Sequence, residues 1–393
     1  MTTRRMAQRP RLVAAITSLL IAGCGGTTTT PALPSTAPPE ASSSASSSTV
    51  PATDVKAAFL DVITDPKFSG TAALSGTIAL AGIDGEVSGD WAFDGRDSHM
   101  TTTIALPGSE QTNESVTIGP DGWERSGEGP WLEREKKPDR GKSFTGMLAV
   151  LNALEDLGVE SRDGVELHHF QPPAGGRVPA DALGIDNADI RSPKATADFY
   201  TTDAGVPEIF AFHITWTQAI GGQDAAVTMD MQLDIDDVGT SQPIEPPAEA
   251  EIWTRYTSSF GYRMAHPPEW TARHTKTEDS FLIDDQPYVY VAPRTLPAGA
   301  TLSSFQRDLI ASYHAQFGTD PESRESTRIG GSAAFRLTYH FKNDANQDVA
   351  LVDVATLHGG RGWEVFILTL AGETEADDIG VFDDFVSTFN FTK

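Results

Sequence analysis

Apolar and polar residues alternate through much of the first 240 positions of this chain. Ala72, Leu74, Ile78 and Leu80 fall on one side of an extended segment, with Thr71, Ser75 and Thr77 on the other. Val87, Trp91 and Phe93 share a face in the next segment, and Met100, Ile104 and Leu106 in the one after. The two clearest strands carry Phe210, Phe212, Ile214 and Trp216, then Val227, Met229, Met231, Leu233 and Ile235. In the second of these, Thr228, Asp230, Gln232 and Asp234 point the other way. A period of two predicts strands. Gly82-Ile83-Asp84-Gly85 and Gly119-Pro120-Asp121-Gly122 supply turns between them. One apolar and one solvated face per strand specify an antiparallel sheet.

The period changes to that of a helix over 143–157, where Phe144, Met147, Leu148, Leu151 and Leu154 fall on one stripe. Ser143 is placed to cap its start and Gly158 its end. A long sheet with one apolar face and a single helix to cover it predicts a curved sheet wrapped around that helix.

A break follows at 243–250, where Pro243, Pro246 and Pro247 disfavour both helix and central strand. It separates a domain over 53–247 from one over 251–393. The second half mixes strands at 262–266, 281–283, 288–291, 333–341, 349–358 and 363–370 with helices at 303–317 and 375–388. Hairpin turns at Gly330-Gly331, 343–346 and 359–362 make its sheet antiparallel, and helices on the faces make it an α/β/α sandwich. The fold class expected for the whole chain is therefore α+β.

The N-terminal residues alter this picture. Arg4, Arg5, Arg9 and Arg11 precede a mostly apolar run over 12–22, and Cys24, the single cysteine of 393 residues, follows Ala22-Gly23. Eleven helical residues span ~16 Å, short of the ~30 Å hydrocarbon core, so 1–23 reads as a lipoprotein signal peptide rather than a membrane span. Cys24 is the expected lipidation site. Residues 24–52 are rich in Thr, Ser, Pro and Ala and read as a disordered tether with an r.m.s. span on the order of 30 Å. The expected location is the extracytoplasmic face of a bacterial cell membrane.

The formal net charge is −26, and loss of the four N-terminal arginines takes it to −30. That excludes a nucleic-acid binder, which needs basic patches, and argues against electrostatic adsorption to anionic lipid. Motif searches point away from an enzyme. Gly141-Lys142-Ser143 lacks the glycine of a phosphate loop, and there is no Gly-x-Ser-x-Gly, Ser-x-x-Lys or His-Glu-x-x-His. Asp344, Asn346 and Asp348 have calcium-loop spacing but read as a hairpin turn. His168 and His169 are strand neighbours facing opposite sides, which prevents a shared metal. No metal or other cofactor is expected. Met147, Met229 and Met231 sit among aliphatic residues and read as core or cavity lining.

Two resemblances follow. Gly119-Pro120-Asp121-Gly122-Trp123 leading to Gly129-Pro130-Trp131, then 158–165, 201–207, and 234–239 running into Ile244-Glu245-Pro246-Pro247, make the first domain resemble the LolA/LppX/LprG-like half-barrel lipoproteins. The resemblance implies a curved antiparallel sheet, a helical lid and an apolar cavity that holds acyl chains, with no catalysis. Residues 260–270 and 382–389 make the second domain similar to the PsbP/Mog1-like sandwich, which implies binding or adaptor roles. The function expected is a membrane-anchored lipoprotein that binds or carries an apolar ligand, lipid foremost. Its cavity residues are Trp91, Phe93, Met147, Leu148, Leu151, Phe210, Phe212, Ile214, Trp216, Met229 and Met231. The alternative is an envelope adaptor or sensor that binds protein partners through 251–393.

Overall fold

A computed structural model describes residues 52–95, 97–134, 150–178, 190–220, 223–343, 345–372 and 374–392. The chain divides into two compact units. The described residues of the first are 52–95, 97–128, 134, 150–178, 190–220 and 223–246; those of the second are 129–133 and 247–392 without 344 and 373.

The first unit opens with helix α1, Ala52–Thr64. Its sheet is built from β1 (Ser69–Leu80), β2 (Ile83–Asp94), β3 (Asp97–Leu106), β4 (Ser109–Ile118) and β5 (Asp121–Ser126), then β7 (Glu155–Arg162), β8 (Val165–Gln171), β10 (Ile190–Thr201), β11 (Pro207–Ile220) and β12 (Gln223–Asp236). The order is β5-β4-β3-β2-β1-β12-β11-β10-β8-β7, antiparallel throughout, and the sheet is not closed. The two-residue β9 (Arg177–Val178) pairs with β10. Register follows the alternation: Leu74 opposes Leu233, Leu233 opposes Phe210, and Ile78 and Ile214 both oppose Met229. The apolar set therefore lies on one face.

Two glycines on that face are required by close approach of neighbouring strands. A Cβ on Gly76 would stand 2.1 Å from the Asp230 carbonyl oxygen, and one on Gly89 would stand 2.0 Å from that of Thr101. Both positions share the apolar side of their strands, so neighbouring backbones crowd together there and only a residue without a side chain fits.

The helix expected over 143–157 does not extend to its predicted end. Of that span, 150–157 is described, and helical backbone is confined to 150–152. Glu155 to Leu157 belong to β7, which pairs with β8 around Asp163 and Gly164, with φ of 50° and 84°. Two consecutive positive φ values are the signature of a tight hairpin turn, and that turn gives 155–162 a strand partner. Gly158 consequently lies inside a strand beside a register shift, not at a helix end. The spacing of Leu151, Leu154 and Leu157 is that of a helix, and the pairing of 155–162 with β8 overrides it.

The second unit contains β6 (Trp131–Glu133), parallel to β13 (Ile252–Ser258), and β14 (Tyr262–His266) between β13 and β22 (Asn390–Phe391). Its main sheet comprises β15 (Thr271–His274), β16 (Asp279–Ile283), β17 (Gln286–Arg294), β18 (Ser323–Ile329), β19 (Ser332–Lys342), β20 (Asp348–His358) and β21 (Arg361–Leu370). Its order is β15-β16-β17-β21-β20-β19-β18, antiparallel. Helix α2 (Leu302–Phe317) starts at a Thr301–Ser304 capping box and stops at Gly318, which has φ +72°. Its Phe305 and Leu309 pack with Phe335, Leu337, Leu351 and Ala355. Helix α3 (Glu375–Ser387) packs Phe382 and Phe385 with Val352, Val354, Val365 and Ile367. Odd and even residues of β20 thus face different helices, and both faces of the sheet are covered. The turn at 343–347 is held by the Asn343 carboxamide oxygen, which accepts from the Ala345 and Gln347 amides at 3.0 Å each. Asp344 lies outside the described residues.

Candidate ligand-binding face of the first unit

Cross-strand pairing assembles the apolar face in rows. Phe170 opposes Phe199, Phe199 opposes Phe210, Phe210 opposes Leu233 and Leu233 opposes Leu74. Alongside runs Ala197, Phe212, Met231, Gly76, Val87 and Ile104. The aromatic end is closed by α1. Phe59 lies 5.8 Å from the Phe170 ring centroid and 6.2 Å from those of Phe199 and Phe210. Val55 and Phe59 have no exposed surface. The Lys56 ammonium ties α1 to the described helical turn by donating to the carbonyls of Asn152 at 3.3 Å and Leu154 at 2.5 Å.

No helix was expected over Ala52–Thr64. Val55, Phe59, Val62 and Ile63 carry the helical spacing that would have shown it, but they follow directly on a Thr/Ser/Pro-rich stretch and supply only two turns of apolar stripe. Phe170 and Phe199, which make the aromatic end, were likewise absent from the expected cavity.

The expected cavity residues separate into groups. Ile214 and Met229 are wholly enclosed, and Phe93, Met231 and Trp216 nearly so. These five are packed against protein. Trp91, Leu151, Phe210 and Phe212 are half-buried against the same cluster, together with Leu80 and Leu106. Met147 and Leu148 lie outside the described residues.

The face changes character at β3 and β4. Thr102, between Met100 and Ile104 on the inward side, opposes Asn113. Asn113, Ser115 and Thr117 occupy the same side of β4, and all four are buried. Thr102 Oγ1 and Asn113 Nδ2 have no hydrogen-bond partner. Leaving a buried donor or acceptor unmade costs about 1–3 kcal/mol, so two on directly opposed residues form an unusual pair. The inner surface is therefore apolar from β8 to β2, interrupted on β3 by Thr102 between Met100 and Ile104, and polar on β4, with unfilled hydrogen-bonding capacity where Thr102 meets Asn113.

His168 and His169 face opposite sides of β8, as alternation requires. His168 Nε2 lies 3.1 Å from an Asp203 carboxylate oxygen, and His169 Nε2 lies 2.7 Å from one of Asp198. His169 also stacks on Tyr200 at 4.5 Å. Burial is the largest influence on the Tyr200 phenol and raises it above its usual range, while Arg162 opposes the rise. Among the described residues no group of three or more His, Cys, Asp or Glu is arranged to hold a metal ion. Among them, too, no helix is long and apolar enough to cross a membrane.

The second unit buries its own polar groups. Asp353 and Glu364 lie inside it with almost no exposed surface. Glu364 accepts from Arg294 at 2.5 Å, and Asp353 Oδ2 accepts from the Tyr313 hydroxyl at 2.8 Å. Burial first, then the charge of Glu364, pushes Asp353 well above the usual carboxylate range.

No protein-family model and no curated protein matches the chain. Among solved structures, cyanobacterial PsbP from Synechocystis sp. PCC 6803 is 16% identical, matched over 38% of this chain and 98% of its own, with a TM-score of 0.30. A DUF1329 family protein from Desulfovibrio piger ATCC 29098 is 12% identical over 48% of this chain and 92% of its own, at 0.21. MucB in complex with MucA(peri) is 11% identical over 86% of this chain and 99% of its own, at 0.22. Likeness of this size assigns the chain to no family and identifies no ligand.

Proposed function

We propose that the chain is an extracytoplasmic, lipid-anchored binding protein that holds an amphipathic lipid on the inner face of its first unit, without chemical conversion. The observation that carries this reading is the composition of that face. Large apolar side chains at Trp91 and Phe212 stay only half-buried, and so does Phe210 at the edge of the cover given by α1. On the same face, Thr102 Oγ1 and Asn113 Nδ2 await partners. An acyl chain satisfies the first feature and an ester or hydroxyl oxygen the second. The packed residues Ile214 and Met229 form the floor beneath rather than the contact surface.

Cys24 is the proposed anchor, and a tether over 24–52 keeps the unit near the membrane that supplies the ligand. Full-length protein taken from membranes in mild detergent is expected to release lipid on organic extraction, detected by mass spectrometry. The double variant Thr102→Val with Asn113→Leu is expected to retain at least tenfold less. Extracts free of lipid, with no uptake of a fluorescent fatty-acyl probe, overturn the reading. Cys24→Ser is expected to move the protein out of the membrane fraction without unfolding it.

A second reading, a protein partner, is supported by one feature. Leu157, Val159 and Val165 on the β7–β8 hairpin are each more than half exposed. Cross-linking in membranes should capture a partner through this hairpin, and Val159→Lys should abolish the capture.

A further inference from the structure

The second unit brings together three side chains that no sequence motif joins. The hairpin between β13 and β14 turns through Ser259, Phe260 and Gly261, and the β15–β16 hairpin has His274 opposite Asp279 at its neck. The Ser259 hydroxyl donates to His274 Nε2 at 3.1 Å, and His274 Nδ1 donates to Asp279 Oδ1 at 2.6 Å. Asp279 is fully enclosed, whereas Ser259 and His274 are exposed. A nucleophile, a base and an orienting carboxylate in this order are recognised by geometry and role, not by sequence position.

The carboxylate is held more firmly than the relay alone requires. Tyr256 donates to Asp279 Oδ1 at 3.0 Å, Ser258 to Oδ2 at 2.5 Å, and Tyr262 also to Oδ2. Burial, then Asp279 itself, raises Tyr256 to about 12, and burial raises Tyr262 further, so both phenols remain donors at neutral pH. With Asp279 fixed, the imidazole proton sits on Nδ1 and Nε2 is free to accept. The Phe260 ring lies 4.8 Å from His274 and limits its rotation.

We propose that Ser259, His274 and Asp279 form a nucleophilic relay through which Ser259 takes an acyl group from an uncharged, activated carboxylic ester. In the first step the Ser259 Oγ–H bond breaks and its proton passes to His274 Nε2. The Oγ–C bond to the acyl carbon forms, the ester C–O bond breaks, and the departing alkoxide takes the proton from His274. Water then attacks acyl-Ser259, giving its proton to His274, which returns it to Ser259 Oγ as the carboxylic acid leaves. An uncharged ester is specified because a chain with a formal charge of −26 repels anionic substrates. The nearby Phe260 and Gly261 amides are spent on Ser258, donating to its hydroxyl and carbonyl oxygens. The carbonyl oxygen of the substrate therefore gains nothing from them, and slow acylation is expected in place of fast turnover.

This relay stands apart from the ligand reading of the first unit and survives its failure. The test treats the full chain with a fluorophosphonate probe and with p-nitrophenyl acetate, and maps adducts by peptide mass spectrometry. An adduct on Ser259 is expected, absent from Ser259→Ala and formed about 100-fold more slowly in His274→Gln, the lower end of what a general base contributes. Circular dichroism of both variants should match the parent, since both residues are exposed. No adduct on Ser259, or equal labelling with and without His274, overturns the proposal.

Discussion

In the second unit, neighbouring residues of one strand meet different helices. Val352 and Val354 of β20 pack in the cluster with α3, and Leu351 and Ala355 in the cluster with α2. In the first unit, neighbours on β12 have different fates. Met229, Met231 and Leu233 enter the core, while Asp230 is exposed and Thr228, Gln232 and Asp234 are half-buried. The consequence appears in the apolar residue left over. The second unit encloses nearly all of its central strand, whereas the first leaves Trp91, Phe210 and Phe212 half-covered. A sheet covered on both faces uses its apolar surface for stability. A sheet covered in part on one face leaves some of its apolar surface over, and among the described residues α1 supplies the largest helical cover of that face.

The largest test of that comparison is Phe59→Ala. Phe59 is fully enclosed against three aromatic rings, so its truncation should cost about 4 kcal/mol. Segment-resolved hydrogen exchange should show protection lost over 190–220 while 349–370 is unaffected. A cost below about 1 kcal/mol would mean that α1 is not the structural cover of the apolar face. Next in size is Asp279→Asn. Four side chains donate to that carboxylate, and an amide cannot accept all four, so the second unit should lose about 2–3 kcal/mol in urea unfolding. Unchanged stability would show that those donors find water and that the unit is less tightly closed than its packing indicates.

Sequence reasoning reached the parts of the molecule in which one physical signal acted alone. The alternation of Phe210 to Trp216 and of Val227 to Ile235 predicts both the strands and the inward set, because a one-residue slip would turn every side chain to the wrong face. Where two signals competed, it failed. Leu154 and Leu157 fit a helical stripe, yet the Asp163–Gly164 turn commits 155–162 to a hairpin. The functional groups were harder still. Thr102 reads as an ordinary polar residue among strand threonines, and only the register places it inward beside Asn113. Asp353 carries a usable signal, a single acid within the apolar run from Val349 to Leu357. Ser259, His274 and Asp279 come from two hairpins, and no local pattern links them.

Asp353 sharpens the contrast by pH. Its folded-state affinity for a proton is raised, by burial first and then by Glu364, and Glu364 is raised by burial as well. The unfolded chain releases these protons near ordinary carboxylate values, about 4. The stabilisation is therefore fully present below that pH and is lost as pH rises through the elevated folded values. Asp353→Asn keeps a group able to accept from Tyr313 and removes the charge. It should raise stability at pH 7 by about 1 kcal/mol and flatten the fall between pH 4 and 7, measured by urea titration at each pH. The opposite sign from Asp279→Asn is the informative result, since one carboxylate accepts from four side-chain donors and the other has Oδ1 unpaired. Equal losses in both variants would place them in the same class.

The smallest change in stability is expected where the proposed ligand sits. Phe212 is half-buried and opposes Met231 and Ala197 across its strand neighbours. Truncating it exposes little that was dry, so Phe212→Ala should cost about 1 kcal/mol, against about 3 kcal/mol for Met229→Ala on the enclosed floor. Retention of an acyl probe should follow the reverse order. Phe212→Ala should lose at least tenfold in affinity, whereas Met229→Ala, in protein that is still folded, should lose little. That inversion separates a contact surface from a core, because residues that only fill space lose binding in proportion to stability. If probe affinity falls in step with stability in both variants, the half-exposed aromatics are an unfinished core edge, and the two units differ in packing quality rather than in purpose.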